Sequence, residues 1–478
     1  AATVTPSPWG EGRGEGEGSV ITPGFLRLAA LLLCVLLLSP TLSSAQEKAK
    51  KKSAPKKETP AESKVHPIDL ATALRLAGAQ NLDVQIARQR LAEAKANHEI
   101  SRAQFFPWIA PGVTYRRHDG QIQAVEGRVF NASKQSYSAG GNIIAQVDLG
   151  DAWFKNLSAL QLAKAADHAA EAQRQQSIHR AAQQYFELVK AQALAGVAEE
   201  SLRISADYGR QLDEAVKIGL AFKGDALRVS VQTERYRATL RKALEQQRIA
   251  AARLAEVLQL NPSVELVAPE EELAPLTLIA TNRALDSLVA EALNMRPELK
   301  QNQALVRAAR EAKNGAVYGP LVPQAGASVF LGGLGGGFND DFGNFADTQD
   351  YQLFLGWRIG PGGLFDRSRI RASDARLEIA TLSSQKQIDE IIRQVVEAQT
   401  RVLSLADQLQ TARRGLTAAE ETLKLTRERK EFAVGIVLEN IQAEQELARA
   451  RTDYLTAIAE FNQSQYALST AIGALGGK

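Results

Sequence analysis

The second half of this chain repeats the first at an offset of 215–216 residues, and the landmarks that recur are residues that break or turn the backbone. Asn81-Leu82-Asp83-Val84 lies against Arg296-Pro297-Glu298-Leu299, and Pro107 against Pro323. Gly219 lies against Gly435, and Asp225 against Asn440. Between these landmarks both halves read as medium helix, short alternating strands, very long helix, Gly break and medium helix. Such a duplication favours one elongated architecture used twice over a string of unrelated domains.

In the first copy, Ile68 to about Phe106 reads as one helix, stopped by Pro107 and Pro111. Residues 112–118 and 138–149 read as strands around a polar loop at 119–137. A helix without internal Pro follows from about Asp151 to Lys217. Gly219 and Gly224 interrupt it, and Asp225 is placed to N-cap the next helix, which runs to Leu260. After a connector at 261–280 the plan recurs. A helix spans Leu285–Tyr318, and strands at 325–331 and 350–359 flank a loop of Gly, Asp and Phe. A long helix then covers 366–433, Gly435 breaks it, and Asn440 caps a last helix to Ile472.

The second long helix carries an a/d seam. Ile388, Val395, Val402, Leu409, Leu416 and Leu423 lie seven apart, and Ile391, Ala398, Leu405, Ala412 and Ala419 fall three after the first five. That is the pattern of left-handed coiled-coil packing. Ala181, Leu188, Ala195, Leu202 and Val216 repeat it more weakly in the first copy. At 1.5 Å per residue each long helix spans roughly 100 Å, about twice a medium helix. Two medium helices stacked end to end therefore match one long helix, giving a tall hairpin with strands at one end and Gly turns at the other.

Residues 25–38, FLRLAALLLCVLLL, with Ser43-Ser44-Ala45 behind them, read as an export signal cleaved before Gln46. Residues 1–19 are expected to precede the true start, with Val20 as an initiator. The single cysteine, Cys34, sits inside the apolar run without the small neighbour a lipoprotein signal needs. The mature chain is expected to have no disulfide and no thiol chemistry. Residues 46–66 carry seven Lys and three Glu, whereas the remaining body is neutral, so the basic bias belongs to a solvated leader. The expected divisions are thus 1–45 upstream segment and signal, 46–66 leader, 67–260 first repeat, 261–280 connector and 281–478 second repeat.

Tyr351, Leu353, Leu355, Trp357 and Ile359 alternate with Gln352, Phe354, Gly356, Arg358 and Gly360. A half-buried strand of a soluble domain would read this way, and so would a membrane barrel strand. The export signal, and the position of the strands beyond the ends of long helices, favour the barrel. Four strands cannot close one, and an open sheet edge in lipid is not tolerated, so several copies must share it.

Over residues 67–475 the pattern resembles the TolC-like outer-membrane efflux proteins. Arg296-Pro297-Glu298-Leu299 is similar to that family's recurrent Arg-Pro-acid-Leu, and Gly219-Leu220-Ala221-Phe222-Lys223-Gly224-Asp225-Ala226 to its Gly-Leu tip. The resemblance implies a homotrimer in the outer membrane of a Gram-negative bacterium. Its fold would be mainly α with membrane β, a 12-stranded barrel continuous with a periplasmic α-helical coiled-coil barrel. It implies a passive exit duct for efflux or type I secretion, working with a periplasmic adaptor and an inner-membrane pump. Adaptor-docking tips would then be Gly219, Leu220, Gly435, Ile436 and Val437, though the two Gly also simply permit tight turns. Asp213, Glu214, Asp225, Arg427, Glu428 and Glu431 are candidates for an aperture gate, with a solvated charged face as the plain alternative. The second tip is one residue shorter than the first and lacks its Asp.

No enzyme is expected. His66, His98, His118, His168 and His179 include no i,i+3 or i,i+4 pair, and no phosphate loop or dinucleotide fingerprint is present. The Gly run at 332–337 is read as opening a loop. No cofactor, metal or nucleic-acid partner is expected. The rival reading is a soluble exported coiled-coil adaptor or structural protein, which should carry one helical hairpin between β domains where this chain has two.

Overall fold

A computed structural model describes residues 65–261, 264–268, 273–339, 341–431 and 437–476. The signal segment, Cys34, the leader up to residue 64, and the tip residues Gly435 and Ile436 lie outside the described residues, as does the Glu431 side chain.

The first repeat runs β1 (Val65–Pro67), α1 (Leu70–Gln80), α2 (Leu82–Ala103), β2 (Trp108–Gln123), β3 (Val129–Asp148), α3 (Leu149–Lys217) and α4 (Lys223–Leu258). After β4 (Glu265–Val267) the second runs α5 (Leu285–Met295), α6 (Pro297–Tyr318), β5 (Gln324–Phe338), β6 (Ala346–Gly356), α7 (Arg367–Glu431) and α8 (Val437–Ala471). β1 pairs with β4 in parallel, so the last residues assigned to the leader are part of the folded body.

α3 and α7, of 69 and 65 residues, are the two tall elements. α2 and α4 pack on α3, α6 and α8 lie between α3 and α7, and the result is four helical columns side by side. The heptad seam of α7 is where packing occurs. Ile391, Val395, Val402, Leu405 and Leu423 are buried against Phe461, Leu468, Ile472 and Leu447 from α8 and its C-terminal edge. Ala181, Ala182 and Leu188 of α3 are sealed beneath Leu254 and Leu258 of α4. Small residues on these rows let the columns approach closely.

The first medium helix of each repeat, expected as one piece, is in fact two. Asn81, at ψ 135°, separates α1 from α2, and its side chain accepts from the Asp83 N–H at 2.9 Å. Arg296, at ψ 123°, separates α5 from α6 because Pro297 excludes the helical conformation from the residue before it.

The strands are longer than their periodicity suggested. Most of the expected polar loop at 119–137 is paired backbone, Pro111 lies inside β2 opposite Gly141, and the Gly run 332–337 forms the outer half of β5. β6 ends at Gly356, so Trp357 and Ile359 fall outside it. All four long strands form one antiparallel sheet in the order β2-β3-β5-β6, leaving β2 and β6 as open edges.

Two expected caps are absent. α4 starts at Lys223, ahead of Asp225, which instead sits in the first turn and pairs with Arg228 at 3.0 Å. Asn440 is buried inside α8 and donates to Glu444 at 3.1 Å.

Candidate functional site

Strand register sorts the sheet into two chemically distinct faces, because neighbours in register share a face and alternate along each strand. Ile109, Val113 and Tyr115 on β2 align with Ile143, Ala139 and Tyr137 on β3. These continue into Val329 and Leu331 on β5, and into Tyr351, Leu353 and Leu355 on β6. Leu353 is 87% exposed, and Tyr351 and Leu355 are exposed beside it. From Tyr137 to Val147 this apolar band covers roughly 25–28 Å at ~3.3 Å per residue and a barrel tilt of ~40°. That is the height of a hydrocarbon layer.

Aromatic groups flank the band. At its far end Phe342 stacks on Tyr115 with ring centroids 6.3 Å apart, and Phe345 on Tyr137 at 5.6 Å. The Gly333 and Gly335 positions leave room for these rings; a side chain at either would collide with them. At the near end Trp357 donates its indole N–H to the Leu321 carbonyl at 3.1 Å. The opposite face carries Thr114, Ser136, Ser138, Asn142, Ser328 and Gln352, interspersed with Ile144, Phe330, Leu334 and Phe354.

Where sheet meets helices, Asp151 in the first turn of α3 is held by Lys155 at 2.6 Å and by the Arg369 guanidinium from the start of α7. Burial raises the Asp151 pKa, but the hydrogen bonds from Lys155 and Arg369 outweigh it and hold the carboxyl below its usual range. This clasp ties the first repeat to the second just below the strands.

At the other end, α3 stops in a Schellman motif. Leu220 N–H reaches Ala215 O at 2.8 Å, and Gly219 N–H reaches Val216 O at 3.1 Å with Gly219 at φ +80°. The cap accounts for the glycine. It does not account for Ile218, Leu220 and Phe222, which are 71%, 79% and 82% exposed. Ile218 and Phe222 were not among the expected tip residues; the signal was an aromatic between two turn glycines. Val437 is partly buried against Tyr208, Leu212, Val229 and Ile441, which join the two hairpins beneath the tip.

The candidate gate residues are not one cluster. Arg427 lines a cavity of about 460 Å³ with Asp207, Tyr208, Gln211, Asn440 and Glu444, and lies 3.9 Å from Glu444. Burial, then the negative charges of Glu444 and Asp225, push the Tyr208 phenol up. Asp225 therefore acts on the same spot. Asp213, Glu214 and Glu428 are exposed and outside the lining of this cavity. Glu444 and Tyr208 carry no distinguishing motif and were not expected.

No helix among the described residues is long and apolar enough to cross a membrane. The sheet is the membrane element, and its two open edges require neighbouring copies to close a barrel.

Known proteins agree with this geometry. The sequence model of the outer membrane efflux protein family matches residues 73–258 and 288–474, one match for each repeat. The cation efflux system protein CusC of Escherichia coli K12 is 22% identical over 410 residues, covering 82% of this chain and 84% of that protein. The Campylobacter jejuni CmeC outer membrane channel superposes with a TM-score of 0.74 at 16% identity, over 89% of this chain and 91% of that one. The Neisseria gonorrhoeae MtrE outer membrane channel gives 0.68 at 17%, over 84% and 88%. Two family matches covering most of the body, on a sheet with a lipid-facing band, exclude the soluble adaptor reading: the chain belongs to the outer membrane efflux protein family and is a channel of the Gram-negative outer membrane with a large periplasmic helical part.

Proposed function

We propose that this channel is a passive exit duct whose adaptor docks on the exposed tip formed by Ile218, Leu220 and Phe222, with Gly219 setting the turn. The observation that carries the reading is an apolar tip left in water by a turn that does not need it. An exposed cluster of large apolar groups marks an interaction surface. It lies at the opposite end of ~100 Å helices from the lipid band, where a periplasmic partner can reach it. Gly435, Ile436 and Val437 would supply the second tip of each chain. The segments before the body would serve as export signal, 1–45, and solvated leader.

Closure of the duct is assigned to Arg427 and Asp225 around Tyr208 and Glu444, with Asp213, Glu214 and Glu428 as outlying charges and Glu431 as a further candidate. Separation of the helix ends would break the Arg427–Glu444 and Arg429–Glu439 contacts between α7 and α8. CusC is named for cation efflux. That cargo belongs to CusC and is not assigned to this channel.

A photo-crosslinking amino acid at position 220 or 222, in cells expressing the whole export system, tests the docking. An adduct with a periplasmic adaptor, weakened at least ~10-fold by Leu220→Glu with Phe222→Glu while trimers persist, is expected. Adducts only with other membrane-embedded proteins would overturn the reading.

A further inference from the structure

We propose that the outer mouth of the barrel is an anion-selective collar, built in every copy from Arg116 and Lys134, which favours solutes bearing carboxylate, phosphate or sulfonate groups at the exit. The inference rests on the duct reading and adds a substrate class to it.

Register places the collar. Arg116 pairs with Ser136, and His118 with Lys134. These residues share the face of Thr114 and Ser138, opposite Tyr115, Val113 and the lipid band, so they face the lumen. Arg116 and Lys134 are both exposed. They are diagonal neighbours across the β2–β3 ladder, about 7–8 Å apart by strand geometry. The next strand offers Gly336 beside Ser136 in the same row. Lys134 itself lies between His118 and Phe338 in its row, and both cationic side chains stay exposed on the lumen face.

Charge balance separates this pair from an ordinary solvated patch. On the outer face Arg117 is neutralised by Asp119 at 2.7 Å, and Asp119 also accepts from Ser133. Among the described residues no carboxylate pairs with Arg116 or Lys134. The inward carboxylate of β6, Asp350, pairs with Phe330 and so with the row of Asn142 and Ala110. That row is six positions from Arg116, roughly 20 Å along the strand. Glu126 and Arg128 in the hairpin turn offset one another and leave the balance unchanged. Two cations placed diagonally across one ladder concentrate positive charge on the inner wall. Rings of fixed charge set the sign of the ions a pore prefers.

Purified trimers in planar bilayers under a KCl gradient give the test. Arg116→Gln with Lys134→Gln should lower the chloride-to-potassium permeability ratio at least ~2-fold, and the Glu pair should lower it further. Arg117→Gln, on the lipid face, should leave the ratio unchanged. Folding is separated from charge with Arg116→Cys in a Cys34→Ser chain. An anionic methanethiosulfonate added to the assembled channel should lower the ratio, and a cationic one should raise it. An unchanged ratio in the double-Gln channel, equal responses to the two reagents, or an equal shift from Arg117→Gln would overturn the collar and leave the duct intact. Absence of any conductance would overturn the duct reading as well.

Discussion

Asn81 and Arg296 occupy the same place in the two repeats and perform the same task with different chemistry. Asn81 donates its side-chain amide to Val257 O, near the end of α4, at 2.9 Å. Arg296 donates to Thr470 O and Ala471 O, at the end of α8, at 3.3 and 3.2 Å. Each stands at a helix break and satisfies carbonyls that the last turn of another helix leaves open. Arg296 adds a fork to Glu298 and a bond to Gln394 of α7, so it joins α6, α7 and α8 at once.

This difference sets the order of two stability effects. Arg296→Met should cost about 2–4 kcal/mol, since it strands buried carbonyls and leaves Glu298 without its partner. Asn81→Ala should cost about 1–2 kcal/mol. Arg296→Lys should not restore the loss, because one ammonium cannot span both partners of the planar fork. The dissociation temperature of detergent-solubilised trimers measures the ranking.

The two sheet faces should respond oppositely to one charge. Leu353→Arg places a cation inside the lipid band, nearer its helix-side edge than its middle, and should cost about 1–2 kcal/mol. Ser328→Arg, on the inward face of the neighbouring strand, should be tolerated. Heat-stable assembled protein in the outer-membrane fraction is the readout.

Neighbouring strands approach closely at Gly140 and Gly332. A Cβ at Gly140 would lie 2.4 Å from Leu331 O and 2.7 Å from the Gly332 Cα. Gly140→Val should therefore cost about 1–3 kcal/mol by forcing backbones apart. Gly141→Val, where nothing lies within 4 Å, should not. Comparing the assembled fraction of the two variants decides the matter.

The Asp151 clasp predicts an acid-labile junction. Its folded pKa is depressed, so its contribution is fully present above the unfolded carboxylate pKa and is lost as pH falls through the lower folded value. Asp151→Asn should lower stability by about 1–2 kcal/mol at neutral pH and flatten the fall in stability below pH ~4. An identical acid profile in the variant would show that other carboxylates control it.

Periodicity made the long helices legible because coiled-coil packing needs an apolar row every seven residues, from Ile388 to Leu423. The helix breaks were harder to read. Asn81 and Arg296-Pro297 stand out as recurring boundary residues, yet the apolar pattern runs through them, and the backbone angles of Asn81 and Arg296 show that the helix is interrupted there. The tip turn was readable from Gly219, whereas the Arg427 cavity joins residues of three helices and has no local signature.

By itself, then, the sequence determined the duplication, the tall helical hairpins, and strands too few to close a barrel. These follow from spacing, chain length and edge count, which are properties of the chain alone. The tertiary structure decided the extent of the strands, since glycine and polar residues such as those at 119–137 and 332–337 have little intrinsic preference and become strand only when a neighbour completes their hydrogen bonds. Register then decided which side chains meet lipid and which meet the lumen. A shift of one residue would exchange Arg116 with Tyr115, and no local pattern near the glycine-rich end forbids it.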